Sequence, residues 1–457
     1  MLFDLKMAYR EKDFIAITEE NFQDIEESLK MKAHLSKLKV SFAELEVILK
    51  ENGLELKNLF YVKRALCPFC YHEGLMFIDL STDLDDVIKE RNYRDIIGDM
   101  NQMFDTLIST SDFESLFGYI DTRYKFWVFM VILPRVPAEM VFSLFRKVYT
   151  EGYSGFDESD WEQARKILES NKDRISVEPL KTDEEGYVKI YRGVGSKSTP
   201  LDKTFSWTIS LNVAIKFAMM YGSSNGQVYK AKVKKENIRD FLQERDEEEV
   251  LIFPENVVDI EDLGLLKFNK QFTDELDNAG VIAEYNEMTP FIIPQLFKKS
   301  DGIHGVLHAK RVLFLTLIQS YLLKLPKEQR RILVWCAVFH DIGRKNDEKD
   351  SKHGILSMKK LQDNDLIEGL TKRIGAQGLK TLKYIIENHA VSDVVGIKKV
   401  SKYCIKDVEL AQKLYLLFKD SDGLDRCRLG DLNINYLRND ISKKLVLVAG
   451  QILHGIK

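Results

Sequence analysis

Proline and cysteine are both scarce in this chain. Nine prolines and five cysteines in 457 residues leave no Pro-rich spacer and no disulfide framework, and an odd, scattered cysteine set fits a reducing cytoplasmic compartment. No stretch approaches the roughly 18 uninterrupted apolar residues of a membrane span. The opening Met1-Leu2-Phe3-Asp4-Leu5-Lys6 lacks the basic region and apolar core of a secretory signal, so no membrane partner is expected. Internal repeats and low-complexity tracts are missing as well. Charge of one sign is missing too: 67 Lys and Arg stand against 71 Asp and Glu, for a net charge of −4. No global basic field therefore recruits nucleic acid or an anionic surface, although a local basic groove stays compatible with that balance. What remains is an ordinary globular composition, 45% hydrophobic and 30% charged, long enough for two to four domains.

The densest chemistry lies in the C-terminal third, which carries six of the eight histidines. The apolar run Ile332 to Phe339 leads into His340-Asp341-Ile342-Gly343-Arg344. A helix buried nearly all round should end there, with Gly343 supplying a left-handed stop. Two adjacent ligands cannot fill a coordination sphere, so others are needed. Upstream, His304, His308 and Arg311 fall at i, i+4 and i+7, on one face of a helix. Downstream, Asp420-Ser421-Asp422-Gly423-Leu424-Asp425 closes the amphipathic run from Val408 to Phe418. His353 opens another helical pattern, and His389 follows the run Leu382 to Asn388.

This H…HD…D order resembles the HD superfamily of metal-dependent phosphohydrolases, over about residues 295–430. The resemblance implies an all-α domain with His308, His340, Asp341 and Asp422 as metal ligands. Asp422 is preferred to Asp420 because it stands in the family's Asp-x-Leu/Trp-Asp context. His353 and His389 match histidines that in some members bind substrate phosphate or a second metal. His304, Arg311 and Arg344 join them as candidates for those contacts. A His-and-carboxylate set admits Mn, Fe, Ni, Co, Zn or Mg.

A second periodicity, of short alternating strands, occupies about residues 186–262. It contains Tyr191-Arg192-Gly193 at a strand end, then Ser206-Trp207-Thr208 with a helix from Leu211 to Tyr221. A Gly-Ser loop at Gly222 to Gly226, another strand, and Glu247-Glu248-Glu249-Val250-Leu251-Ile252 follow. On an extended strand Glu247 and Glu249 share a side and repel unless a site uses them. An Arg strand, a hydroxyl strand and a Glu-x-Glu strand in this order resemble the R-S-E class of ADP-ribosyltransferases. Ser-Trp-Thr departs from the family's usual Ser-Thr-Ser. The resemblance implies a split β-sheet cleft for NAD. Arg192 would hold the cofactor's phosphates or ribose, and Ser206 and Thr208 would brace the cleft. Glu249 would stabilise the oxocarbenium-like transition state, and Glu247 would orient or deprotonate the acceptor, often arginine in such members.

The expected fold class is multidomain α+β. Residues 1–125 are expected to form a helical N-terminal region of unknown role, in which Cys67-Pro68-Phe69-Cys70 and His72 read as half a zinc knuckle or as a turn. Residues 126–262 hold the ADP-ribosyltransferase-like domain with leading helices, residues 263–298 a connector, and residues 299–457 the HD domain. The function expected is a bifunctional enzyme, an NAD-dependent mono-ADP-ribosyltransferase joined to a phosphohydrolase for a nucleotide, a nucleic acid or an ADP-ribose phosphoester. That pairing fits a bacterial toxin, effector or anti-phage factor. The alternative is an HD phosphohydrolase gated by a catalytically inactive, NAD-sensing fold.

Overall fold

Short aromatic strands organise much of the first part of the chain in the computed structural model, which describes residues 14–30, 38–62, 67–151, 158–171, 177–195, 198–220, 225–348 and 350–455. Strands β1 (Phe14–Ala16), β2 (Leu59–Val62), β3 (Phe69–Glu73) and β4 (Met76–Leu80) form an antiparallel sheet in that order. The sheet adds to the helical N-terminal region expected, whose helices still supply most of its described residues. The strands are only three to five residues long, and β2 and β3 are buried on both faces. A strand apolar on both sides shows no period-2 alternation to read. Helices α1 (Glu19–Lys30), α2 (Phe42–Glu51), α3 (Leu84–Glu90) and α4 (Tyr93–Ser109) share a core with the sheet. Helices α5 (Phe113–Tyr119), α6 (Lys125–Ile132), α7 (Ala138–Glu151) and α8 (Glu158–Ser170) complete a unit that ends at Arg174. Cys70 lies inside β3. Burial pushes its thiol up to about 12, and His72 is stacked on Phe77 with Nδ1 2.9 Å from the Met76 carbonyl. Among the described residues, none of Cys67, Cys70 and His72 belongs to a group able to hold a metal.

The second unit runs from Ile175 to Lys457. Its sheet comprises β5 (Tyr187–Val194), β6 (Ser206–Thr208), β7 (Gln227–Lys234), β8 (Ile238–Leu242), β9 (Glu249–Ile252) and β10 (Val258–Asp262). The strand order is β10-β7-β5-β6-β9-β8. A single residue pair, Tyr191 with Thr208, joins the two halves, against eight pairs between β5 and β7. Helix α9 (Leu211–Met219) lies against β5. That approach requires Gly193, because a Cβ there would stand 1.8 Å from the Ala214 carbonyl oxygen. Residues 221–224, with most of the Gly-Ser loop, fall outside the described residues.

The remaining helices are α10 (Lys270–Asn278), α11 (Val281–Met288), α12 (Val306–Leu322), α13 (Lys327–Phe339), α14 (His353–Asp363), α15 (Leu366–Asn388), α16 (Asp393–Lys399), α17 (Val408–Leu424), α18 (Asp440–Lys444) and α19 (Val446–Gly455). Helix α13 is buried continuously from Ile332 to Phe339 and packs against α12, α15 and α17. Eight consecutive buried residues leave no polar face, so the segment can only be the middle of a core. The same apolar cluster takes in Ala214, Ile215 and Ala218 of α9 and residues of α10 and α11. The connector is thus two helices built into the core. No helix among the described residues is long and apolar enough to cross a membrane.

Candidate metal centre

Five helix ends deliver the donors. His340 and Asp341 leave the C-terminus of α13, His353 starts α14, His389 follows α15, and Asp422 lies in the last turn of α17. His308 comes from the first turn of α12. His304 precedes that helix, which begins at Val306, so it does not share a helical face with His308 as its spacing suggested. The two rings still meet edge to face, 5.6 Å apart. Gly343 is not left-handed. It is needed for closeness, since a Cβ there would stand 2.2 Å from the Ser357 amide nitrogen and 2.4 Å from the His353 carbonyl. The missing side chain lets α14 bring His353 up to Asp341.

Hydrogen bonds fix which ring nitrogen each histidine presents. His308 Nδ1 is 2.6 Å from Asp425 Oδ2, His340 Nδ1 3.0 Å from the Ala337 carbonyl, His353 Nδ1 2.5 Å from the Asp350 carbonyl, and His389 Nδ1 2.7 Å from the Ile386 carbonyl. Each partner only accepts, so each Nδ1 carries a proton, and it is Nε2 that each ring turns outward, with a lone pair wherever no second proton is bound. Those lone pairs converge. His308 Nε2 is 3.0 Å from His340 Nε2, and His353 Nε2 is 2.8 Å from His389 Nε2. Two lone pairs at such distances repel unless a proton or a cation lies between them.

Carboxylate oxygens complete both pairs. Asp341 Oδ2 and Asp422 Oδ1 lie 3.4 and 3.3 Å from His308 Nε2, and 3.7 and 3.9 Å from His340 Nε2. Asp341 Oδ1 faces His353 Nε2 at 3.0 Å and His389 Nε2 at 3.4 Å. It is buried with no hydrogen-bond donor. Donors about 2.1 Å from a common ion stand about 3 Å apart at right angles and about 3.4 Å apart in a tetrahedron. These spacings fit such an ion, and the buried His and Asp groups could hold one. They fall into three overlapping groups: His304, His308 and Asp341; His308, His340 and Asp422; and Asp341, His353 and His389.

The electrostatics agree. Burial opposes ionisation of Asp341, but the imidazoles packed around it, His340 first and then His304, His308 and His353, hold its carboxyl well below the usual range. Asp422 is likewise held far down, its burial outweighed by His308 and His340. Burial pulls His340 down to about 3. His308, although buried, is raised to about 10 by Asp341, Asp422 and Asp425. A second proton on His308 thus supplies positive charge to the buried carboxylates.

The other expected residues divide. Asp420 faces away, accepting from the Arg438 and Asn439 amides and from the Arg438 guanidinium. Arg311 is buried and donates to Asp425 at 2.5 and 3.1 Å. It is therefore a support for His308 and not the phosphate contact its spacing suggested. Arg344 donates to Asp341 Oδ2 at 3.2 Å and lines a cleft above it with His304, Lys298, Lys299 and Lys345. Sequence reasoning missed the role of Asp425 and the part of Arg428, which reaches Asp425 Oδ2 at 3.1 Å and His304 Nδ1 at 3.2 Å. The signal for Asp425 was present, as the second acid of the Asp-x-Leu/Trp-Asp context.

In the sheet, Arg192 on β5, Ser206 on β6 and Glu249 on β9 occupy adjacent strands. Arg192 Nη1 donates to the Ser206 carbonyl at 2.5 Å, and Ser206 Oγ donates to Glu249 Oε1 at 2.5 Å. Thr208 Oγ1 donates to the Glu247 carbonyl at 2.6 Å. The Glu-x-Glu segment is not extended, because β9 begins only at Glu249 and Glu248 has a φ of +46°. Glu247 sits in the preceding turn, where burial and the charge of Glu249 raise its carboxyl pKa against the pull of Arg245.

No protein-family model, no curated protein sequence and no solved structure matches the chain.

Proposed function

We propose that the helical part of the chain is a metal-dependent phosphohydrolase of HD type with two cations bridged by Asp341. The observation that carries this reading is the convergence of four Nε2 lone pairs, in two pairs, on the two oxygens of one buried carboxylate. His308, His340, Asp422 and Asp341 Oδ2 would hold one cation, and His353, His389 and Asp341 Oδ1 the other. Bound divalent cations at such a centre polarise a phosphoryl oxygen and make water a usable nucleophile at neutral pH. The protein's own part is to hold the ligands. Asp425, clamped by Arg311 and Arg428, keeps His308 in the tautomer that presents Nε2, and Gly343 lets α14 bring His353 to the carboxylate. The test is a phosphomonoester and phosphodiester screen with Mn, Fe, Co, Ni, Zn or Mg. Asp341→Ala should lose both cations and all hydrolysis, and hydrolysis persisting in a metal-free variant defeats the reading.

The same unit carries a second proposed site, an NAD-consuming ADP-ribosyltransferase cleft. Its support is the Arg192–Ser206–Glu249 chain across three neighbouring strands at the one-pair junction of the sheet. Ser206 orients Glu249 through Oε1, and Arg192 presents a guanidinium suited to a diphosphate. Glu249 would stabilise positive charge developing on the nicotinamide ribose, with the raised pKa of Glu247 suiting it to take a proton from an acceptor. Labelled NAD decides it: Glu249→Gln should cut label transfer about 100-fold or more while leaving phosphate release intact. An inactive, NAD-sensing cleft predicts no label transfer from the wild type.

A further inference from the structure

The cleft above Asp341 is enclosed by two short segments, 297–299 and 344–347, together with His304. Lys360 fixes their separation, its Nζ donating to the Leu296 carbonyl at 2.6 Å and the Ile342 carbonyl at 3.3 Å. Lys299 and Asp347 pair across it at 3.3 Å. The cleft is partly open to solvent, so a charged group can sit at its mouth with the rest of the ligand outside.

Its charges are graded along its depth. At the floor, His304 Nδ1 stands 3.0 Å from Asp341 Oδ2, and Arg344 is already engaged with Asp341 and with the Glu348 carbonyl. At the mouth, Lys298 and Lys345 line the cleft and are exposed, and neither takes part in a salt bridge among the described residues. Among the described residues that line the mouth, Asp347 is the one acid, and Lys299 pairs with it. A single phosphate at the cations would leave the two lysines unused.

We propose that the cleft recognises a substrate with two linked phosphoryl groups, one at the cation-holding floor and the next between Lys298 and Lys345. This rests on the phosphohydrolase reading and narrows it to diphosphates. The chemistry is shared by inorganic pyrophosphate, by nucleoside diphosphates and by ADP-ribose, whose organic portions would lie outside the cleft.

The test uses the full chain loaded with Mn and, as probe, methylenediphosphonate, whose P–C–P bridge cannot be hydrolysed. Calorimetry compares it with orthophosphate in the wild type and in a Lys298→Ala, Lys345→Ala variant, with bound metal measured alongside. The comparison between variants separates lysine recognition from simple chelation by the cations, which both proteins share. Loss of two exposed ionic contacts should lower the diphosphonate-to-orthophosphate affinity ratio roughly five- to tenfold. An unchanged ratio in a metal-loaded variant overturns the inference and leaves the phosphohydrolase reading standing, whereas a wild type that takes up no metal removes both. Competition by pyrophosphate, ADP and ADP-ribose then ranks the sources. ADP or ADP-ribose binding more tightly than pyrophosphate assigns the diphosphate to an ester, and the reverse order assigns it to the inorganic anion.

Discussion

Loading the first cation should expel about one proton from the protein. In the metal-free cluster His308 is raised to about 10 and His340 lowered to about 3, so between those limits the pair carries a single proton beyond the two on Nδ1, at His308 Nε2. A cation among His308, His340, Asp341 and Asp422 must displace it. Apparent affinity should then rise about tenfold, or about 1.4 kcal/mol, for each pH unit between pH 7 and pH 9. The metal-free fold should show the opposite trend. His308 has a folded pKa above the roughly 6.5 of an unfolded histidine, so its contribution is complete below pH 6.5 and is lost as pH rises toward 10. The full amplitude is about 5 kcal/mol as an upper bound. His340 has the reverse sign: its depressed folded pKa costs stability as pH falls below 6.5 toward 3. Calorimetry at pH 8 in buffers of different ionisation enthalpy counts the protons released. A pH-independent affinity with no proton release refutes the argument, because His308 Nε2 then never held the proton that the cation replaces.

Two further substitutions probe the supports. Asp425→Asn keeps an acceptor for His308 but removes the charge that balances Arg311, which is 6% exposed. It should weaken metal binding by about 10- to 100-fold and lower the melting temperature through the unpaired guanidinium, and a variant with native metal affinity contradicts the positioning role of Asp425. Gly343→Ala places a methyl against the Ser357 amide and should cost about 1–3 kcal/mol. It should also displace His353, so the His353–His389 position should lose its cation before the His308–His340 position does. Equal loss at both positions in a metal titration goes against that account.

The parts of this structure legible in the sequence are those set by local rules. His340-Asp341 sits at the end of an apolar helix, His353 at a helix start and His389 just past a helix end. A helix end fixes where a side chain leaves, so the members of the buried His and Asp cluster could be named without coordinates. What distant packing decides was harder to read. Arg311 looked like a phosphate contact until Asp425, 114 residues away, claimed it. Gly343 looked like a helix stop because its spacing fits one, but its reason for being glycine is the neighbouring α14. The Glu-x-Glu pattern predicts a strand from Glu247, whereas the positive φ of Glu248 delays it by two residues. In the first unit, β2 and β3 are apolar on both faces and β1 has three residues, so the sheet left no alternation to detect.

The most direct test of the two-cation centre is anomalous diffraction from crystals grown with Mn. The account predicts two peaks per chain, one on either side of the Asp341 carboxylate: the first within bonding distance of His308, His340 and Asp422, the second near His353 and His389. Crystals fully exposed to the metal and showing no peak beside Asp341, with the paired histidines bridged by protons alone, would contradict it.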